Sequence, residues 1–237
     1  MGSDYDYDYV IIGSGFGGSV SAMRLAEKGY KVCVLERGKR FRDQDFPKTN
    51  WDLRRYLWAP LFKCFGIQNL SIFKNVLVLS GSGVGGGSLV YANTLLKPGD
   101  EFFRAPIWKE LADWKAELEP HYQTARHMLG VTTNPALTFI DQTLKECADE
   151  MGRGATFKPT EIGVYFGEAG KTVPDPFFGG KGPERTGCIL CGGCMVGCRY
   201  NAKNTLMKNY LWFAEKLGVS IIPEREVLDI RQLPLKA

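Results

Sequence analysis

The chain has 237 residues and a formal net charge of +4, and hydrophobic residues make up 44% of it. This length allows one domain with a sizeable core, or one domain and part of another. Basic and acidic residues are interspersed, which excludes a nucleic-acid-binding stripe but allows peripheral contact with an anionic membrane surface. No apolar run approaches the ~20 residues of a transmembrane helix.

The N-terminal segment predicts a strand, a helix and a second strand. The strand is expected near residues 8–12, the helix near 16–28 and the second strand near 31–35. Glycines occupy the turn between the first strand and the helix. A G-x-G-x-x-G cluster between a strand and a helix is typical of dinucleotide-binding proteins.

Each glycine of this turn has a physical role in such a motif. Gly13 permits the tight turn, Gly15 lets the backbone approach a pyrophosphate, and Gly18 allows the helix to pack closely on the strand. The N-terminus of the helix then presents free N–H groups to the phosphates. These residues predict that the chain binds an adenine dinucleotide.

Glu36 ends the second predicted strand, about 20 residues beyond the glycines, where a carboxylate can bind a ribose 2′-hydroxyl. A 2′-phosphate would be repelled by Glu36, so NADP is not expected. NAD and FAD share this motif, and these residues alone do not separate them.

A second glycine loop, residues 81–88, follows a buried strand predicted at 75–79. Because so much glycine is costly in backbone entropy, it indicates close approach by a ligand or by another part of the chain. Successive backbone N–H groups there could bind an anion or lie against a ring, although a mobile hairpin turn would also explain the glycines. One loop for the pyrophosphate and one against a flavin would favour FAD over NAD.

The rest of the chain predicts a mixture of helices, strands and a long loop. Helices are expected at 50–58, 107–119, 139–151 and 204–216, strands at 218–223 and 226–230, and a loop or lid at 151–187. A doubly wound sheet usually has five or six parallel strands, and about three good candidates are present. We therefore expect an α/β fold with a doubly wound, Rossmann-like parallel sheet that is incomplete, with inserted helices and loops.

This pattern suggests three regions. Residues 1–150 would form the dinucleotide-binding region with inserted helices. Residues 151–200 would form a Gly/Pro/Cys-rich loop or the start of a substrate or lid region. Residues 201–237 would return to the cofactor-binding domain, in what we expect to be the front part of a longer protein.

Seven cysteines without a secretory signal indicate a reducing compartment, so a cytoplasmic location is expected. Four of them, Cys188, Cys191, Cys194 and Cys198, have the spacing C-x2-C-x2-C-x3-C. This spacing occurs in bacterial iron–sulfur proteins, but Arg199 stands where a proline would follow and there is no second run. Zinc, metal-free packing and a redox-labile loop are the alternatives, and we favour a metal-free run. The other three cysteines, Cys33, Cys64 and Cys147, are expected in the core.

The two glycine motifs, residues 9–36 and 83–89, resemble those of the glucose–methanol–choline (GMC) family of FAD-dependent oxidoreductases. Residues 51–60, 172–179 and 197–206 are similar to its bacterial cholesterol oxidase-like branch, in which the cysteine run recurs. The resemblance covers nearly the whole chain and implies FAD as the cofactor.

By position, the resemblance implies that three groups of residues contact FAD. The ADP half would be held by Gly13, Gly15, Phe16, Gly17, Gly18 and Glu36, and the adenine would contact the backbone of Val227. Gly85, Gly86, Gly87 and Ser88 would lie along the flavin and pyrophosphate, and Asn93 would approach the isoalloxazine edge. The chain departs from the family pattern at positions 91–93, where it has Tyr-Ala-Asn and well-known cholesterol oxidases have Asn-Gly-Gly.

The resemblance also implies oxidation of an alcohol, a sterol 3β-hydroxyl or a similar apolar secondary alcohol, by hydride transfer to flavin N5. Such a reaction needs a base to take the hydroxyl proton. The family's catalytic histidine lies near the C-terminus of the full protein, whereas this chain has only His121 and His127, between two helical segments. We therefore assign no catalytic residue and expect the chain alone to be inactive. The alternatives are a nucleotide-binding fragment without activity and a flavoprotein dehydrogenase with a cysteine-ligated cluster.

Overall fold

The computed structural model describes residues 5–232. Its helices are α1 (Phe16–Glu27), α2 (Leu53–Tyr56), α3 (Asp100–Phe103), α4 (Trp114–Met128), α5 (Phe139–Glu150) and α6 (Tyr210–Lys216). Its strands are β1 (Tyr9–Ile12), β2 (Val32–Leu35), β3 (Trp58–Ala59), β4 (Cys64–Phe65), β5 (Gln68–Ile72), β6 (Leu77–Gly81), β7 (Thr132–Thr133), β8 (Glu161–Ile162), β9 (Thr172–Val173), β10 (Arg185–Thr186) and β11 (Ser220–Ile222).

A three-stranded parallel sheet in the order β1-β2-β11 forms the centre of the fold. Strand β2 is buried, as expected for an apolar strand with a parallel neighbour on each side. Helix α1 connects β1 to β2, and α6 packs against α1. The predicted Rossmann-like βαβ unit is therefore confirmed, and the parallel sheet has three strands within the described residues.

The main core lies between this sheet and its two helices. Small residues on one face of α1, such as Ala22 and Ala26, let α6 approach closely through Leu211 and Ala214. Gly18 lies at the start of α1, where a Cβ atom would stand only 2.0 Å from the carbonyl oxygen of Gly13. The predicted role of Gly18 in close packing of helix on strand therefore has a direct geometric basis.

Several predicted elements differ from the structure. The helix expected at 107–119 begins only at Trp114, because the Asp113 carboxylate accepts a hydrogen bond from the N–H of Ala116 and caps α4 there. The helix then continues to Met128, so His121 and His127 lie within it and not between two helices. The helix expected at 204–216 is interrupted by Asn209, whose backbone is non-helical (φ −146°, ψ −101°).

Two strand predictions were also wrong in part. Residues 226–230, expected as a strand, have no regular structure. The strand expected to be buried at 75–79 is β6, which forms an antiparallel hairpin with β5 and exposes more than half of Leu77 and Leu79. Alternating apolar residues predicted the strand, but burial depends on which other elements cover it. Of the helix expected at 50–58, only the short helix α2 is present, and Trp58 already belongs to β3.

The predicted helix at 139–151 is confirmed as α5. It begins at a capping box in which the Thr138 hydroxyl accepts from the N–H of Asp141 and the Asp141 carboxylate accepts from Thr138. Cys147 on this helix is exposed and Cys64 is half-buried, so the expectation of core positions was wrong for both, whereas Cys33 is buried.

Candidate cofactor-binding site

Two glycine loops meet at the carboxyl ends of β1 and β2. The first loop, residues 13–18, connects β1 to α1, and the second, residues 81–88, follows β6. Their backbones touch, because a Cβ atom on Gly86 would lie 2.7 Å from the Cα of Gly15. Close approach of two chain segments therefore explains part of the glycine content of the second loop.

A third segment, the turn after β2, joins the same contact. A Cβ atom on Gly38 would lie 2.2 Å from the backbone nitrogen of Gly83. Gly83 and Gly85 have positive φ angles of 128° and 104°, a backbone conformation that residues with side chains rarely adopt. The second glycine loop thus needs glycine for the backbone conformation of its own turn and for the close approach of the neighbouring segments.

A cavity of about 580 Å³ opens beside these loops, within the size range of small-molecule and cofactor sites. Its walls come from the ends of β1 and β2, from both glycine loops and from residues 225–227. Of the predicted cofactor contacts, this cavity is lined by Gly13, Gly15, Glu36, Gly86, Gly87 and Val227. The other six (Phe16, Gly17, Gly18, Gly85, Ser88 and Asn93) are not among the residues that line it.

The N-terminus of α1 faces this region with unsatisfied donors. The first N–H groups of a helix have no intrahelical partner, and the N-cap residue Gly15 provides no side-chain acceptor. Gly15 has open space where a Cβ atom would stand, so its glycine identity is not required by neighbouring atoms. Open space, free N–H donors and the positive end of the helix dipole fit the diphosphate of a dinucleotide.

Glu36 is buried, with 5% of its surface exposed, and its carboxylate is held by four protein donors. One oxygen, Oε2, accepts from the N–H and the hydroxyl of Ser14, at 3.1 and 2.7 Å. The other, Oε1, accepts from the N–H groups of Gly38 and Gly83, at 2.9 and 3.3 Å. The Ser14 hydroxyl also accepts from the N–H of Gly85 at 3.1 Å.

The Glu36 carboxylate therefore links the three segments that form the site. A carboxylate has about four lone-pair directions, so these bonds nearly exhaust its capacity as an acceptor. Sequence reasoning assigned Glu36 to a ribose and did not find this role, because Gly38 and Gly83 approach it only in the fold. Contact with a ribose remains a prediction.

Ser88 and Asn93 face the protein. The Ser88 hydroxyl donates to the carbonyl oxygen of Gly85 at 2.7 Å and accepts from the N–H of Leu206 at 3.0 Å. Asn93 is buried, has a positive φ of 58°, and its side chain forms a hydrogen bond with the Cys194 thiol. The predicted contacts of these two residues with a flavin stay untested.

A buried lysine was missed by the sequence reasoning. Lys203 is fully buried, and its ammonium group donates to the carbonyl oxygens of Leu89 at 3.0 Å and Cys194 at 2.8 Å. It also lies over the ring of Tyr91, 4.5 Å from the centroid. Burial lowers the pKa of Lys203 from 10.5 to about 7, an effect that Cys194 and Cys198 partly oppose. Lys203 thereby connects the second glycine loop to the cysteine run.

The two histidines and the cysteine run offer no completed catalytic or metal site. His121 and His127 are exposed on α4, and the His127 ring makes an edge contact with Phe178. Within residues 5–232, no group of three or more His, Cys, Asp or Glu side chains is arranged to hold a metal ion. In the same range, no helix combines the length and the apolar character needed to cross a membrane.

Two comparisons with known proteins identify the class of fold. Residues 11–44 match the family model described as an NAD(P)-binding Rossmann-like domain. A structure of formate oxidase from Aspergillus oryzae RIB40, determined to study FAD modification, superimposes with a TM-score of 0.51 at 15% identity, over 92% of this chain and 38% of that one. Both matches agree with the dinucleotide-binding fold described above.

The sequence relatives are more specific. The chain is 59% identical to a cholesterol oxidase of Mycobacterium tuberculosis over 92% of its own length, and 52% identical to a cholesterol oxidase of Acinetobacter baumannii over 99%. It covers 39% and 43% of those two proteins. A GMC-type oxidoreductase of M. tuberculosis is 28% identical over 91% of the chain and is covered to 31%. The resemblance to GMC oxidoreductases is confirmed: the chain is a homologue of the N-terminal part of cholesterol oxidases.

Proposed function

We propose that the chain is the FAD-binding part of a GMC-type oxidoreductase that oxidises an apolar secondary alcohol, such as a sterol 3β-hydroxyl. The observation that carries the cofactor assignment is the cavity of about 580 Å³ at the meeting point of two glycine loops and the N-terminus of α1. The identity of 59% to a cholesterol oxidase over most of the chain supports the substrate class. A part that corresponds to the rest of the relatives' length is the proposed partner that completes the enzyme, in the cytoplasm or at a membrane surface.

In this proposal the chain binds and orients the cofactor. The open face of Gly15 and the first N–H groups of α1 hold the diphosphate, because both are free of protein partners. Glu36 keeps the two glycine loops together and borders the ribose region, and Val227 borders the adenine from the third wall of the cavity. When bound, FAD supplies the hydride acceptor at its flavin ring.

Two glycine substitutions with the same structural effect, one inside the cavity and one outside it, test the assignment. Gly15→Ala adds a methyl group in open space, so we expect unchanged stability of the cofactor-free protein but at least about tenfold weaker FAD binding, since the methyl group occupies the phosphate position. Gly99→Ala is the matched control, because a Cβ atom there also meets nothing within 4 Å and Gly99 lies outside the cavity. Flavin fluorescence titration and thermal melting report the two quantities. Equal FAD affinity in both variants would refute the proposed position of the diphosphate.

A further inference from the structure

The cysteine run forms a thiol cluster next to the cofactor loops. Cys188, Cys191, Cys194 and Cys198 all line one small cavity of about 30 Å³, together with Lys203. All four are free thiols, and they differ in accessibility, Cys191 being exposed and the others half-buried.

Cys198 lies beside a backbone hydrogen-bond donor and two basic side chains. Its sulfur accepts a hydrogen bond from the backbone N–H of Lys203 at 3.5 Å. The side chain of Lys203 interacts electrostatically with both Cys194 and Cys198. The positively charged and buried Arg185 also interacts with Cys198. Oxidation of a cysteine by peroxide proceeds through its thiolate form, which is the nucleophilic form.

Its neighbours are suited to a different role. Burial raises the pKa of Cys188 and of Cys194, so these two residues stay protonated. Cys198 interacts with both of them. One reactive thiol beside protonated thiols is the arrangement in which an oxidised sulfur is captured as a disulfide.

We propose that Cys198 is a peroxide-sensitive thiol, which is oxidised and then forms a disulfide with Cys188 or Cys194. In the first step the Cys198 thiolate attacks one peroxide oxygen, the O–O bond breaks, and a sulfenic acid and, after protonation, water are formed. In the second step the neighbouring thiol attacks that sulfur, releasing a second water. Two thiols and one hydrogen peroxide thus give one disulfide and two waters.

The cavity selects the class of oxidant. Its volume of about 30 Å³ accommodates one or two water-sized molecules, since one water needs roughly 10–15 Å³ of such volume. Hydrogen peroxide fits this space, whereas a disulfide-containing peptide such as oxidised glutathione does not. The half-buried thiols Cys188, Cys194 and Cys198 are therefore reached more readily by a small peroxide than by a bulky disulfide, whereas Cys191 is exposed to both.

Two contacts connect the cluster to the second glycine loop. The Asn93 side chain bonds to the Cys194 thiol, and Lys203 bridges the carbonyl oxygens of Cys194 and Leu89. A disulfide between Cys198 and Cys194 removes the Cys194 thiol from its bond with Asn93 and so disturbs the segment at 89–93. This consequence rests on the proposed FAD site, whereas the oxidation itself does not.

The experiment treats the protein with stoichiometric hydrogen peroxide, blocks free thiols with iodoacetamide and maps disulfides by peptide mass spectrometry. We expect a disulfide that contains Cys198, its loss in Cys198→Ser, and no change in Cys147→Ser, whose exposed thiol lies outside the cavity. Oxidised glutathione at the same concentration should not produce a disulfide that contains Cys198. If Cys147 reacts first, or if Cys198→Ser forms the disulfide between the remaining thiols equally fast, the proposal is wrong.

If Cys198→Ser does not fold, disulfide mapping of the wild-type protein still tests the proposal, because only a disulfide that includes Cys198 supports it. Titration of the oxidised and reduced forms with FAD then tests the link to the glycine loop. Disulfide formation with unchanged FAD affinity would overturn that link and leave the thiol chemistry intact. Absence of FAD binding by both forms would count against the proposed function instead.

Discussion

Replacement of Glu36 by glutamine separates the two roles that this residue can have. The change preserves size and shape but removes the charge and turns one acceptor oxygen into an NH₂ donor. Because all four partners of the carboxylate are donors, the amide nitrogen must face either Gly38 and Gly83 or Ser14. The Ser14 hydroxyl can rotate and accept, so the amide nitrogen should turn towards Ser14.

The cost follows from the bonds that remain. In that orientation the N–H of Ser14 loses its acceptor, and the bonds to Gly38 and Gly83 lose their charge assistance. A hydrogen bond to a charged group contributes about 1.5–3 kcal/mol, and an unsatisfied buried donor costs a similar amount. We therefore expect Glu36→Gln to lower the free energy of unfolding of the cofactor-free protein by about 2–4 kcal/mol.

Urea unfolding of the cofactor-free protein measures this difference, with Glu146→Gln on the exposed face of α5 as the control. In a Ser14→Ala background, the effect of Glu36→Gln should differ by about 0.5–3 kcal/mol, because the two residues share hydrogen bonds. An unfolding free energy that matches the control, accompanied by weaker FAD binding, would refute the linking role and assign Glu36 to the ribose alone.

Three further outcomes are expected. Gly18→Ala should destabilise the protein by several kcal/mol, because the added methyl group would lie 2.0 Å from the carbonyl oxygen of Gly13. Thermal or urea unfolding measures this loss, and unchanged stability would contradict the packing of α1 on the strand. Lys203 binds fewer protons in the folded than in the unfolded protein between pH 7 and its ordinary pKa of 10.5, so stability should rise with pH over that window. Lys203→Met should remove up to about 1.4 kcal/mol per pH unit from that slope, and Lys48→Met, at an exposed site, should not. Residues 1–237 alone should not oxidise cholesterol in a peroxide-release assay; activity abolished by His121→Ala or His127→Ala would show that the base had been misplaced.

The first βαβ unit was predictable because its signals are local. The strand 8–12, the glycines and the helix 16–28 are neighbours in sequence, and each supports the others. The capping box that begins α5 is equally local. Signals of this kind depend on a few consecutive residues, so the sequence contains them directly.

The parts that were missed depend on contacts between distant segments. The apolar pattern predicted a helix from residue 107, but the cap at Asp113 makes α4 begin at Trp114. The exposure of β6 depends on whether another element covers the hairpin that it forms with β5. The four bonds of Glu36 involve residues up to 47 positions away, and Lys203 contacts Leu89 across 114 positions. No periodicity or motif in a single sequence encodes such partners.

Titration of the cofactor-free protein with FAD, followed by flavin fluorescence and compared with NAD, tests the central claim most directly. We expect saturable binding of one FAD per chain, tighter than binding of NAD, and weaker binding in Gly15→Ala than in Gly99→Ala. Absence of saturable FAD binding by a folded protein, or a preference for NAD, would contradict it.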